Sequence, residues 1–403
     1  MSEHRFKPII DWQHEYVAAH KYPGSSILIQ HGGEERFFSA VGLRDIEHRL
    51  PFERDTLVRL YSMTKPVTSL AIMMLIERGL MRLDTPLDEI LPEFSNPSAL
   101  IGGAQHIEQC EPVRAPTVQE LLTHTAGLSY AFNPGVLPEA MDKAELFFQP
   151  RQGQLKHMVA RLAALPLAFR PGTRWEYSVS CDVLGHVVER VSGCELDEFF
   201  QTEIFAPLGM KNTKFKIEDA NLKSFSSLYI PKELDNAFAV HRDAAPISGL
   251  ALHDSREASE FSSTTLFSGG GGLIGTIDDY ARFLQLIRNR GKVGVSQLVQ
   301  ARTIDMMMQN HLPGDIASMG PTSFAEQPMH GMGFGLGGSV LLDSTRAKLA
   351  GSAGDFSWGG IASTYFWIDP IRDLQVIFFT QLSPSSTYSS RAELKSLVSQ
   401  MLN

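Results

Sequence analysis

Hydrophobic and polar positions change their period along this chain, and the changes outline its elements. Residues 9–20 set Ile9, Ile10, Trp12, Tyr16 and Val17 at helical spacing, which predicts an amphipathic helix. Residues 25–31 and 36–41 alternate as strands, and Gly32-Gly33 between them predicts a hairpin. Residues 67–79 are apolar nearly throughout and predict a buried helix closed by Arg78 and Gly79. From about 85 to 325, helical stretches (117–123, 155–165, 179–192, 196–205, 277–290, 296–309) alternate with Pro/Gly/Ser-containing connections such as 95–116 and 215–265. Thr117 with Glu120 forms a capping-box pattern, and Thr276 followed by Asp278-Asp279 marks another helix start. The period returns to β over 333–342, 361–368 and 374–381, with the turn-forming Asp369-Pro370-Ile371-Arg372-Asp373 between the last two. Residues 389–402 predict a closing amphipathic helix.

β-rich ends around a helical middle predict an α+β fold. One antiparallel sheet flanked by helices is expected from both chain ends, as a discontinuous domain of 1–84 and 326–403. A mostly helical domain, 85–325, is inserted, with the active site between the two. At 403 residues the chain is long enough for two such bodies.

Chemistry concentrates at Tyr61-Ser62-Met63-Thr64-Lys65-Pro66. Proline belongs in a helix's first turn, so Pro66 puts the helix start within a few residues of Ser62. Ser62 and Lys65, three apart, then share one helical face, hydroxyl beside amine. The positive helix N-terminus favours an ionised nucleophile and an oxyanion. Ser-x-x-Lys is short and carries weight only with company; it occurs once here. A serine nucleophile needs a base. No G-x-S-x-G elbow is present, which argues against an α/β-hydrolase. An amine acts as base only when burial or a neighbour lowers its pKa, and a tyrosine phenol is a plausible proton relay beside it.

Charge and composition remove other classes. A net charge of −9 with no basic patch argues against nucleic acid and against an anionic membrane surface as partners. The longest apolar run, 70–76, is far short of a membrane span, and residues 1–8 lack the apolar core of a secretory signal, so a cytoplasmic protein is expected. Cys110, Cys181 and Cys194 are an odd count without C-x-x-C spacing and imply no disulfide framework. His14 and His20 are six apart and do not share a helical face, so no zinc site follows; no metal and no cofactor is expected. Gly269-Gly270-Gly271-Gly272 lacks the Lys-Ser/Thr of a phosphate loop and reads as close backbone approach beside a cavity.

Three elements in order carry a resemblance: Ser62-Met63-Thr64-Lys65, Tyr177-Ser178-Val179 and Trp358-Gly359-Gly360. Linking segments agree with it, among them 121–128 (Leu-Leu-Thr-His-Thr-Ala-Gly-Leu), Arg170-Pro171-Gly172, Leu208-Gly209-Met210 and the glycine run. Together they resemble the serine β-lactamase and penicillin-binding-protein superfamily, and within it the family VIII carboxylesterases, which are similar to class C β-lactamases. The resemblance implies Ser62 as nucleophile, Lys65 as the group easing its deprotonation, and Tyr177 as the residue exchanging protons with serine and leaving group. It implies an oxyanion hole from the N–H groups of Ser62 and Ile361. It places Trp358, Gly359 and Gly360 on an edge strand lining the site, with Met63 and Val179 as further substrate-binding positions. His124 is expected to have a structural role within its turn.

Two departures from the lactamase pattern bear on the substrate. Val179 stands where an asparagine would bond a lactam's amide, and Trp358 where a lysine would hold its carboxylate. Losing both polar anchors disfavours an anionic β-lactam and suits a neutral apolar ester. The expected activity is hydrolysis of short-chain or small aromatic carboxylic esters, small-molecule substrates, through an acyl-serine. Rival readings are acyl transfer from the same site, weak β-lactamase or D-aminopeptidase activity, and an inactive binding module.

Overall fold

The computed structural model describes residues 3–234, 249–324 and 327–402. Its centre is a sheet of eight strands: β1 (Gly24–His31), β2 (Glu34–Asp45), β3 (Leu50–Pro51), β4 (Met332–Phe334), β5 (Ser339–Leu341), β6 (Phe356–Gly359), β7 (Tyr365–Asp369) and β8 (Leu374–Thr380). In space they run β4-β5-β6-β7-β8-β1-β2-β3, each antiparallel to its neighbour. β1 pairs with β8, Ile27 opposite Phe378 and Ile29 opposite Val376, so the two chain ends meet inside one sheet.

Alternation along these strands supplies two cores. Ile27, Ile29, Tyr365, Trp367, Val376 and Phe378 cluster with residues of α1 (Lys7–Ala18) and of the closing helix Ser390–Leu402. Leu28, Phe366, Ile377 and Phe379 face the opposite, larger cluster. There the sheet meets α2 (Lys65–Glu77), α3 (Ser180–Ser192) and α4 (Ile277–Arg288). The closing helix is α5.

Thr117 and Glu120 form the expected capping box, and Thr276 caps α4. Four expectations are corrected. Residues 361–364 form a turn rather than the start of a strand, because the Gly360 N–H closes onto the Thr364 carbonyl at 2.9 Å. The expected strand 333–342 is a hairpin, β4 and β5, closed by the Gly335 N–H on the Gly338 carbonyl. The helix expected over 296–309 is confined to Ala301–Met307, since Ser296–Gln297 pairs with Lys292–Val293 across Gly294, whose φ is 57°. β6, which carries Trp358 and Gly359, is the third strand in from the sheet's end and not an edge strand. Of the long connection 215–265, residues 235–248 lie outside the described residues, while Leu228–Pro231 and Leu250–Asp254 pair as strands.

α2 is the helix the site depends on. Every residue from Lys65 to Leu75 is buried, as an apolar helix surrounded by protein requires. Leu70 is fully buried there. Leu70→Ala is expected to lower stability by about 2–5 kcal/mol, read as a drop in the denaturant midpoint; wild-type stability would contradict this placement.

Candidate active site

The chain enters α2 through a 3-10 turn, Tyr61–Thr64, that presents Ser62. Tyr61 has φ 45°, an uncommon conformation for a bulky residue. Backbone and side-chain bonds hold the turn in place. The Leu60 N–H donates to the Leu273 carbonyl (2.9 Å), the Leu273 N–H to Thr64 Oγ1 (3.1 Å), and the Tyr280 hydroxyl to the Met63 carbonyl (3.0 Å).

Lys65 is fully buried, and its Nζ donates to Ser62 Oγ (3.2 Å), the Tyr130 hydroxyl (2.8 Å) and the Gly270 carbonyl (2.7 Å). Three acceptors match the three N–H bonds of an ammonium. The Tyr177 hydroxyl donates to Ser62 Oγ at 2.6 Å, and Lys65 Nζ lies 4.7 Å from the Tyr177 ring centroid. Serine, lysine and tyrosine thus meet at one point, although Tyr177 is 115 residues from Ser62.

Tyr130 is a participant that spacing did not reveal. Burial, then the neighbouring Tyr177 phenol, raises its pKa well above the ordinary value, so it stays a neutral phenol beside Lys65. The glycine run explains the third acceptor. A Cβ at Gly269 would lie 2.4 Å from the Cys181 carbonyl oxygen, and one at Gly270 would lie 2.4 Å from Asp182 Oδ2. Asp182, buried in α3, accepts from the Gly270 N–H (3.1 Å) and the Ser268 hydroxyl (2.5 Å). Burial raises the Asp182 pKa while the Lys65 charge opposes it. Asp182 therefore anchors the loop whose carbonyl receives Lys65.

The end of β6 closes the opposite side. Trp358 packs against Tyr177 (ring centroids 5.4 Å apart), Phe334 (5.3 Å) and Phe324 (6.2 Å). A Cβ at Gly360 would fall 2.4 Å from the Leu60 carbonyl oxygen, so glycine lets the strand end press against the turn that bears Ser62. Ile361 follows in the turn, and the backbone N–H groups of Ser62 and Ile361 have no protein acceptor among the described residues.

Ser62, Tyr130, Tyr177, Trp358, Gly359, Gly360 and Ile361 all line one cavity of about 1070 Å³. Met63 and Val179 do not: both are fully buried in the large core, Val179 at the start of α3. Met63 follows Ser62 in the 3-10 turn and faces the core, and Val179 opens α3 into that core, which corrects their assignment to substrate. His124 has its Nδ1 3.0 Å from Ser178 Oγ, and burial, with the Lys65 charge, holds its pKa well below the usual value. A buried neutral imidazole in that bond has a structural place. Among the described residues one group of potential metal ligands, Asp45, His48 and Glu257, has its donor atoms within 4.8 Å of one another. It lies off the cavity wall, and the Arg256 guanidinium already sits 3.2 Å from Asp45.

A serine in contact with a buried lysine and a tyrosine on a cavity wall is the arrangement that serine acyl-transfer chemistry requires. The β-lactamase family model matches residues 9–400, and the chain belongs to that family. It is 32% identical to esterase EstB of Burkholderia gladioli over 366 residues, 89% of this chain and 85% of that one. It is 29% identical to monacolin J acid methylbutanoyltransferase of Aspergillus terreus, covering 91% of this chain and 88% of the relative. The solved structure of EstCE1, described as a hydrolase with promiscuous acyltransferase activity, superposes with a TM-score of 0.79 at 28% identity, covering 98% of both chains.

Tyr130→Phe removes one acceptor from a buried ammonium and leaves the ring. The expected result is a fall in kcat of about 10- to 100-fold together with a lowered melting temperature, because an N–H of the buried ammonium loses its acceptor. Unchanged turnover would show that Tyr130 does not support Lys65.

Proposed function

We propose that this protein is a carboxylesterase that cleaves small neutral esters through an acyl-Ser62 intermediate. The observation that carries the reading is the meeting of Ser62 Oγ with Tyr177 and Lys65 at 2.6 and 3.2 Å. As Oγ attacks the ester carbonyl, its proton passes to the Tyr177 oxygen, which serves as base once its own phenolic proton has left to solvent, and the Lys65 charge 4.7 Å from the Tyr177 ring stabilises the phenolate until it is reprotonated. The carbonyl oxygen becomes an oxyanion facing the N–H groups of Ser62 and Ile361; losing one such donor typically costs about 100- to 1000-fold. Tyr177 then returns the proton to the departing alkoxide, which leaves as alcohol. Water repeats the sequence on the acyl-serine and restores the free hydroxyl.

Aromatic walls support a neutral acyl or aryl group. Trp358, Phe324 and Tyr130 line the cavity beside Ser62. The esterase relatives support hydrolysis. Acyl transfer is favoured as a second reading by the transferase relative and by a cavity of about 1070 Å³, large enough for an acceptor alcohol beside the acyl group. In the same reading the site lies between a body built from 1–84 and 326–403 and one built from 85–325. The protein works in the cytoplasm on small molecules, without nucleic acid or membrane partners. Among the described residues no helix is long and apolar enough to cross a membrane.

Ser62→Ala is expected to abolish hydrolysis of a short-chain p-nitrophenyl ester while the circular dichroism spectrum is kept; retained turnover would reject the nucleophile. Added alcohol is expected to divert part of the product to a new ester if the second reading holds, and free acid alone would reject it.

A further inference from the structure

A largely buried arginine at the cavity's edge holds the peptide that carries the second donor of the oxyanion hole. Arg391, in the first turn of α5, is 8% exposed, and its Nη2 donates to the Gly360 carbonyl at 2.8 Å and to the Thr364 carbonyl at 3.2 Å. The Gly360 carbonyl and the Ile361 N–H belong to one peptide unit. That unit is trans, so the two groups lie in one plane and point in opposite directions.

We propose that Arg391 is a positioning residue that fixes and polarises the Gly360–Ile361 peptide, so that the Ile361 N–H is held toward Ser62 as an oxyanion donor. The inference rests on the esterase reading above. The guanidinium, with the Ser363 N–H that donates to the same oxygen at 3.1 Å, opposes rotation of the peptide, which would turn the Ile361 N–H away from the cavity. It also draws electron density toward the carbonyl oxygen, and hydrogen bonds in series strengthen one another, so the N–H becomes a better donor. The neighbouring residues are shaped for this contact. A Cβ at Gly359 would lie 2.6 Å from Arg391 Nη2, so glycine there makes room for the guanidinium. A Cβ at Gly360 would strike the Leu60 carbonyl two residues before Ser62. The two glycines thus serve different partners: one admits the arginine, the other admits the nucleophile turn. The Gly360 N–H is itself held by the Thr364 carbonyl (2.9 Å), so the peptide units on both sides of Gly360 are tied.

The test is Arg391→Met and Arg391→Lys, with rates normalised to the sites titrated by a fluorophosphonate. Turnover of a p-nitrophenyl ester and inhibition by a boronic acid that adds to Ser62 are both measured. Arg391→Met is expected to lower kcat by about 10- to 100-fold per titrated site, with KM within threefold and boronate affinity falling in proportion. Arg391→Lys keeps a charge without the planar fork and is expected to recover part of the loss. Wild-type kcat and boronate affinity per titrated site in Arg391→Met would overturn the proposal. If that variant does not fold, Arg391→Lys decides: a loss of about three- to tenfold in both readouts supports it, and none overturns it. A wild-type protein that neither reacts with the fluorophosphonate nor turns over esters would instead defeat the esterase reading.

Discussion

A charge buried without partners is among the most costly features a fold can hold. Lys65 has no exposed surface, so its ammonium must find every acceptor inside the protein. It finds them on three separate segments: the turn bearing Ser62, the loop bearing Tyr130, and the glycine run. Satisfying the lysine therefore assembles the site. Moving any of the three segments would strand an N–H of the ammonium, so the geometry around Ser62 and the stability of the fold are one requirement.

The glycines are the steric counterpart of that electrostatic demand. Gly269 and Gly270 let a loop press against α3, where Asp182 receives it and turns the Gly270 carbonyl toward Lys65. Gly360 lets the end of β6 press against Leu60. A Ser62 turn closed on both sides by bare backbone leaves the aromatic side chains of Tyr130, Tyr177 and Trp358 to form the cavity wall. Trp358, where a lactamase-like site would have a lysine, makes that wall apolar.

Much of this was legible in the order of residues. Pro66 located the helix start, and Ser62 with Lys65 followed from the three-residue spacing. Tyr177 and Trp358-Gly359-Gly360 were found through the resemblance, because their distance from Ser62 in sequence hides any contact. What escaped did so for physical reasons. Tyr130 sits in a loop, where no periodicity marks a side chain that points inward. Asp182 left a signal, a carboxylate within the apolar run of a helix start, and Arg391 is one cation on an amphipathic helix like many others. Val179 was assigned through the asparagine position of the resemblance, but it opens α3 with its side chain in the large core, and Met63, next to Ser62 in the 3-10 turn, faces the same core. Residues 361–364 read as strand from their composition, yet Gly360 ends the ladder by turning its N–H onto Thr364.

The central claim is that Ser62 delivers an acyl oxygen to two backbone donors while Tyr177 and Lys65 handle its proton. The most direct measurement is a crystal structure of the protein with a boronic or phosphonic acid bonded to Ser62 Oγ. The account predicts one oxygen of the tetrahedral adduct within about 2.7–3.1 Å of both the Ser62 and Ile361 nitrogens, with the Tyr177 hydroxyl beside the leaving-group position. An adduct on another residue, or one whose oxygen turns away from both nitrogens, would contradict it.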